Sequence, residues 1–297
     1  MSIFLGEQQV RDRLHYSDLI PALREALVEY SAGRVQQPLR PIMTVPGQEA
    51  WFSVMPAVLG DVMGAKMVNV FPGNARLGMH THLAVIALFS SRNGELLALM
   101  DGRLITEMRT AAVSAIATDL LAAKNSRILA ILGSGVQARS HLEALRLVRD
   151  FDEVRIWSRN HERALAFAEE CGGRAMSAED AVRGADVVVT VTNSPTPVLY
   201  GKWLKEGAHV NAVGAVGPAR RELDAEAMQA FIAVESYVSG AAEAGDILLA
   251  GAQAHAELGE LLSGKIAIDR SSRTVYKSLG VAIEDLTAAR LVAGAIL

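Results

Sequence analysis

The chain has 297 residues, 51% of them hydrophobic and 5% aromatic, with a formal net charge of −4 and one cysteine, Cys171. Such a length suits about two domains with a sizeable core. The mild acidity and the lack of a basic stripe argue against a nucleic-acid partner, and a lone cysteine permits no internal disulfide, in keeping with a cytoplasmic protein. Residues 1–10 carry Glu7 and two glutamines and do not read as a leader. The apolar run 83–89 is far shorter than the ~20 residues of a membrane span, so no membrane association is expected.

In chain order, 8–14 reads as a short helix and 18–32 as a longer one. Ser17 is placed to cap the second, with Leu19, Leu23, Ala26, Leu27 and Tyr30 on its apolar face. Strand-like runs follow at 39–45, 51–55, 64–70, 82–90 and 96–100. Turn signals separate them, and Asn93-Gly94 is a strong hairpin signal. Strands after a helical start, without alternating helices, point to an α+β unit.

Residues 109–124 then read as one alanine-rich helix. From Ser126 strands and helices alternate: strands at 127–132, 153–157, 173–176, 186–192, 209–212 and 231–234, and helices at 136–148, 161–171, 178–183 and 224–230. Further helices are expected at 239–249 and 254–263, with an amphipathic helix at 281–297. The alternation predicts an α/β fold of Rossmann type, a doubly wound parallel sheet with helices on both faces.

Within it, Gly133-Ser134-Gly135-Val136-Gln137-Ala138 spells G-x-G-x-x-A between a strand and a helix, the dinucleotide fingerprint. Gly133 allows the tight turn, Gly135 lets backbone approach a pyrophosphate, and Ala138 is small enough for close packing. The helix N-terminus then offers unpaired N–H groups to the phosphates. The second strand runs into Ser158-Arg159-Asn160 with no carboxylate for a ribose 2′-hydroxyl. Ser158 and Arg159 suit a 2′-phosphate, which favours NADPH and leaves NADH open. Thr192, at the end of a later strand, is expected to line the cofactor.

The first unit holds three isolated cations in apolar surroundings: Arg40, Lys66 in a strand-like run, and Arg109 at the opening of the alanine-rich helix. Each needs an anionic partner, either a protein carboxylate or a bound anion, and the three together suggest a carboxylate-binding pocket. His82 either lines that pocket or satisfies a core hydrogen bond. His80 and His82 lack a third ligand, so no metal is expected.

Several motifs together resemble the ornithine cyclodeaminase/μ-crystallin family. They are Lys66-Met-Val-Asn-Val-Phe-Pro-Gly-Asn, Arg109-Thr-Ala-Ala, the glycine loop, Asn211-Ala-Val-Gly214, Arg221-Glu-Leu-Asp224, Glu243-Ala-Gly-Asp246 and Lys277-Ser-Leu-Gly280-Val-Ala-Ile-Glu-Asp285. The resemblance spans nearly the whole chain. It implies a substrate and dimerisation domain over 1–116, joined by the C-terminal helix 283–297, and a Rossmann domain over 117–282, assembled as a homodimer. It further implies that Arg40, Lys66 and Arg109 bind the substrate carboxylate region and that Ser278 and Gly280 lie near the nicotinamide.

The family holds cyclodeaminases, alanine dehydrogenases, cyclic ketimine reductases and hormone-binding μ-crystallins. Cyclodeaminases carry an aspartate where this chain has Val216 and a glutamate where it has Ser53. Neither residue here can manage a diamine's protons. The expected activity is therefore NAD(P)H-dependent reduction of a small cyclic imino acid, with Lys66 and Arg109 catalytic and Val216 lining the substrate. An amino-acid enzyme of the cyclodeaminase or alanine dehydrogenase type, or a non-catalytic NADPH and ligand binder, are the alternatives.

Overall fold

A computed structural model describes residues 3–294. The chain divides into two units, one comprising residues up to Arg109 together with those from Gly280 onward, the other Thr110–Leu279.

The first unit is built on a six-stranded sheet of order β1-β6-β5-β4-β3-β2. Its strands are β1 (Ile3–Leu5), β2 (Ile42–Thr44), β3 (Trp51–Leu59), β4 (Val62–Val70), β5 (His82–Ser90) and β6 (Leu96–Asp101). All neighbours are antiparallel except β1, which lies parallel to β6. The edge strand β1 is a departure from the sequence reading, which had no strand at the N-terminus. The run expected at 39–45 forms strand only over Ile42–Thr44, because Pro38 and Pro41 have no N–H for a ladder. Gly60, with φ +57°, lets β3 turn directly into β4, and Asn93-Gly94 joins β5 to β6 as expected, with Gly94 at φ +77°.

Helix α1 (Glu7–Arg11) and helix α2 (Tyr16–Ser31) belong to this unit. The N-cap of α2 is His15, without a side-chain bond, and Ser17 lies inside the first turn rather than capping it. Leu19, Leu23, Ala26 and Leu27 are buried, as their spacing predicts. The last helix, α10 (Ala282–Gly294), packs against α2 and against β3, β4 and β5. Contact on both sides explains why it is buried nearly all round, where the sequence suggested an amphipathic helix. The end of the expected 281–297 span lies outside the described residues.

Helix α3 (Arg103–Leu121) crosses the division between the units. It begins six residues before the expected start, with Asp101 Oδ1 accepting the Arg103 N–H at 2.9 Å. Arg109 therefore stands within the helix and does not open it. At the other end, buried Arg149 caps the helix by donating to the Thr118, Asp119 and Ala122 carbonyls.

The second unit is built on an eight-stranded, all-parallel sheet of order β13-β12-β14-β11-β10-β7-β8-β9. In chain order its elements are β7 (Ile128–Leu132), α4 (Val136–Leu145), β8 (Glu153–Trp157), α5 (His161–Cys171), β9 (Arg174–Ala175), α6 (Ala178–Val182), β10 (Val187–Thr190), β11 (His209–Ala212), β12 (Phe231–Val234), α7 (Tyr237–Glu243), α8 (Gly245–Ala250), β13 (Ala256–Glu257), α9 (Leu258–Leu262) and β14 (Thr274–Lys277). This unit has the Rossmann-type doubly wound fold, and the first unit is of α+β type. The order reverses between β7 and β10, the switch point at which such sheets bind ligands beyond their carboxyl ends. Among the described residues, no helix is long and apolar enough to cross a membrane.

Three expected helices of this unit differ. Residues 224–230 form turns, with Asp224 Oδ1 also taken by the N–H of distant Gly201. The helix expected at 239–249 breaks at Ala244 into α7 and α8, where the 217–220 loop lies so close that a Cβ on Gly245 would sit 2.0 Å from the Arg220 carbonyl oxygen. The span 254–263 splits into edge strand β13 and helix α9, with β13 pairing to β12.

Candidate functional site

Strand register brings the predicted pocket residues onto one face of the six-stranded sheet. Met55, Lys66 and Ile86 are cross-strand partners, as are Ser53, Val68 and Ala84, and Trp51, Val70 and His82. Because side chains alternate, these three rows share a face, which is the buried one. The Ser53 hydroxyl on it is buried without a hydrogen-bond partner.

The three cations of the sequence meet here, with Glu284 and Asp285, two carboxylates of the last noted motif to which the sequence assigned no role. Lys66 Nζ lies 2.6 Å from Asp285 Oδ2 as a buried ion pair, and 3.5 Å from the Thr106 hydroxyl. Arg109 donates Nε to Asp285 Oδ1 at 3.0 Å and Nη1 to Glu284 Oε2 at 2.7 Å. Arg40, half-buried, donates Nη1 to the Gly280 carbonyl at 3.4 Å and approaches Met55 Sδ at 3.9 Å. The two acids open α10, where the positive end of the helix favours them. Their signal in the sequence was a pair of adjacent carboxylates inside an otherwise apolar run.

Burial pushes the Lys66 ammonium down to about 8, with Asp285 opposing the shift and Arg109 and Arg40 adding to it. Asp285 is itself desolvated, yet the Arg109 and Lys66 charges hold its carboxyl below the ordinary value. His82, at the start of β5, is pushed down to about 4, first by burial and then by Lys66 and Arg109, so its ring is neutral at neutral pH. Among the described residues no cluster suits a metal ion.

Gly280, expected near the nicotinamide, sits against the guanidinium of Arg109. Its φ is +72°, and a Cβ there would lie 2.3 Å from Arg109 Nη1. Only glycine gives the arginine that room.

In the second unit, the glycine loop follows β7 at the switch point. Gly133 has φ +142°, and a Cβ on it would come within 2.8 Å of Val191. Gly135 is the N-cap of α4 and has open space on its Cβ side, and no side chain caps the helix. Val136, first in the helix, is exposed, and the buried side-chain oxygen of Gln137 has no hydrogen-bond partner. Ala138 is fully buried. These features fit a dinucleotide pyrophosphate, which would lie along the uncapped helix end. Ser134 and Ser158 are joined through their hydroxyls at 2.9 Å, and Arg159 beside them is exposed. Asn160 caps α5 by accepting the Arg163 N–H at 3.0 Å.

The remaining predicted residues lie above a buried polar network. The Glu222 carboxylate accepts the Thr192 N–H and hydroxyl, both at 2.6 Å, the Thr190 hydroxyl at 2.9 Å and the Gly214 N–H at 2.6 Å. It ties the ends of β10 and β11 together. Burial raises its pKa, opposed by Lys277 and by the Thr192 and Thr190 donors. Asp246 pairs with Lys277 Nζ at 3.0 Å. Lys277 also donates to the Ala215 carbonyl at 2.5 Å, next to half-buried Val216. Glu235 accepts from the Ser278 hydroxyl at 3.2 Å, the Leu279 N–H at 3.0 Å and the Tyr276 hydroxyl at 2.5 Å. Ser278 and Thr192 thus have defined protein partners. Glu222 and Asp246 stood in motifs noted in the sequence, but nothing there revealed their partners.

A parallel sheet with a glycine loop at its switch point and a separate unit holding a buried cationic cluster define a two-unit nucleotide-binding protein of dehydrogenase type. The chain belongs to the ornithine cyclodeaminase/mu-crystallin family, whose model matches residues 2–297. It is 46% identical to the ketimine reductase mu-crystallin of Mus musculus, over 97% of this chain and 96% of that protein. It is 34% identical to a Delta(1)-pyrroline-2-carboxylate reductase of Bacillus cereus, over 97% and 94%. Among solved structures, Thermococcus litoralis Delta(1)-pyrroline-2-carboxylate reductase in complex with NADH and L-proline is similar with a TM-score of 0.93 at 33% identity, covering 98% of this chain and 96% of that chain. An archaeal alanine dehydrogenase dimer with bound NAD gives 0.94 at 33%, covering 99% and 95%.

Proposed function

We propose that the protein reduces a small cyclic imino acid, Δ1-pyrroline-2-carboxylate or Δ1-piperideine-2-carboxylate, to proline or pipecolate, with NADPH as donor and NADH as the alternative. The observation that carries this reading is the cluster itself. Arg40, Lys66 and Arg109 gather with Glu284 and Asp285, and two guanidinium groups and an ammonium are the donors a substrate carboxylate takes. The relatives named as imine reductases, and the proline and NADH in the Thermococcus enzyme, support the same substrate class and a nicotinamide dinucleotide as donor.

In this mechanism Arg40 and Arg109 take the carboxylate. Planar guanidinium groups suit that task, and Glu284 and Asp285 fix the plane of Arg109. Lys66 gives its proton to the ring nitrogen, which makes C2 more electrophilic. His82, neutral, and Val216 are assigned to the walls of the substrate site. Gly133, Ser134, Gly135, Val136 and Gln137 would hold the pyrophosphate, and Ser158 and Arg159 the 2′-phosphate, with Thr192, Ser278 and Gly280 assigned toward the nicotinamide. When bound, the reduced nicotinamide supplies the hydride that makes C2 saturated. No further acid is needed once the nitrogen is protonated, so a valine at 216 is tolerable for a reductase.

The other face of the six-stranded sheet is apolar and open. Phe4 is 63% exposed, Met43 49% and Leu83 43%. This face is the surface on which the reading pairs two copies into a homodimer.

The test is NADPH and NADH oxidation with both imines, beside proline release from ornithine with catalytic NAD. Imine-dependent oxidation, faster with NADPH, is expected. Ornithine turnover without imine reduction would place the protein with the cyclodeaminases, and cofactor binding without any turnover would make it a binder.

A further inference from the structure

We infer that Asp285 is a positioning residue for the reduction, aiming Lys66 Nζ and keeping it in the cationic, proton-donating form, while Glu284 holds Arg109. The inference rests on the reading of Lys66 as proton donor.

The two acids are neighbours in the first turn of α10, yet they are used differently. Glu284 meets Arg109 through Oε2. Asp285 divides its oxygens, Oδ1 to Arg109 and Oδ2 to Lys66. It therefore bridges the group assigned to the carboxylate and the group assigned to the proton. Arg109 from α3 and Arg40 from the segment before β2 are positive and oppose its protonation, while Glu284 is paired with Arg109. Thr106 on α3 offers only a hydroxyl, and His82 on β5 is neutral. Lys66 is itself buried, so solvent does not offset these charges. Asp285 is the carboxylate paired with it. Without that charge, an ammonium buried beside two guanidinium groups gives up its proton at lower pH.

The experiment compares kcat for NADPH-dependent imine reduction against pH in the wild type and in Asp285→Asn, Glu284→Gln and Lys66→Arg. In Asp285→Asn the alkaline fall in kcat should move to lower pH by roughly 1–3 units, the usual effect of removing one close opposite charge. Glu284→Gln should raise the imine KM and leave the alkaline fall in place. Lys66→Arg should abolish the fall, because a guanidinium keeps its proton. If the fall persists in Lys66→Arg, Lys66 is not the donor and the reading beneath the inference fails. If Lys66→Arg abolishes it but Asp285→Asn does not move it, Lys66 remains the donor and the inference about Asp285 is overturned. Should Asp285→Asn not fold, the wild-type enzyme labelled with 13C at aspartate carboxyl carbons decides. The Asp285 signal should shift with the same midpoint as kcat, and a signal silent through that range overturns the inference.

Discussion

Lys66→Gln lowers kcat for imine reduction by about 10²–10⁴-fold, the range of a lost general acid, and leaves NADPH binding unchanged. Steady-state rates and a fluorescence titration of NADPH measure the two effects. Lys66 lies in a strand of the first unit, buried on the face that also carries His82, whereas the glycine loop belongs to the second. Its value of about 8 sets the pH dependence. Only the ammonium form donates, so wild-type activity is retained below about pH 8 and lost above it, and Lys66→Gln lacks this fall. The sign for stability is separate. Because the folded value lies below the ordinary 10.5, the buried charge destabilises the fold below about pH 8, and that cost is relieved as pH rises from there toward 10.5. A variant that lost NADPH binding and turnover equally would contradict the assigned role.

Gly280→Ala is expected to raise the imine KM by roughly 10²-fold or more, the scale of misplacing a substrate-orienting group by about 1 Å, a larger change than in the NADPH constant. The new methyl meets Arg109 Nη1 at 2.3 Å. That guanidinium cannot simply swing aside, because two buried carboxylates hold it. The backbone at φ +72° adds strain of about 1–2 kcal/mol for a residue with a side chain. Displacing Arg109 leaves Glu284 and Asp285 under-compensated, so the melting temperature falls as well. Separate titrations with imine and NADPH distinguish this outcome from direct contact with the cofactor, in which the NADPH constant would move and the imine KM would not.

The parts of this molecule legible in the sequence were those governed by local rules. The strand, glycine turn and helix around Gly133 follow from backbone conformation and period, as do the Asn93-Gly94 hairpin and the alternation after Ser126. The three cations stood out because each lay alone among apolar residues. Their partners did not, because Glu284 and Asp285 are far from Lys66 and Arg109 in sequence and only the packing of α10 on the sheet brings them together. The failures at 224–230 and 239–249 share a cause. Asp224 accepts the N–H of Gly201 from a distant turn, and Gly245 yields to the 217–220 loop, so tertiary contacts override local helix propensity. Gly280 shows the same limit. Its motif marked it as part of the site, but the reason for a glycine there is Arg109.

Reduction of Δ1-pyrroline-2-carboxylate with NADPH deuterated at the transferable nicotinamide position, followed by mass and NMR analysis of the product, tests the central claim most directly. Direct hydride transfer predicts proline carrying one deuterium at C2 for each NADPH oxidised. Proline without deuterium at C2, or NADPH left unoxidised while the imine persists, would contradict it.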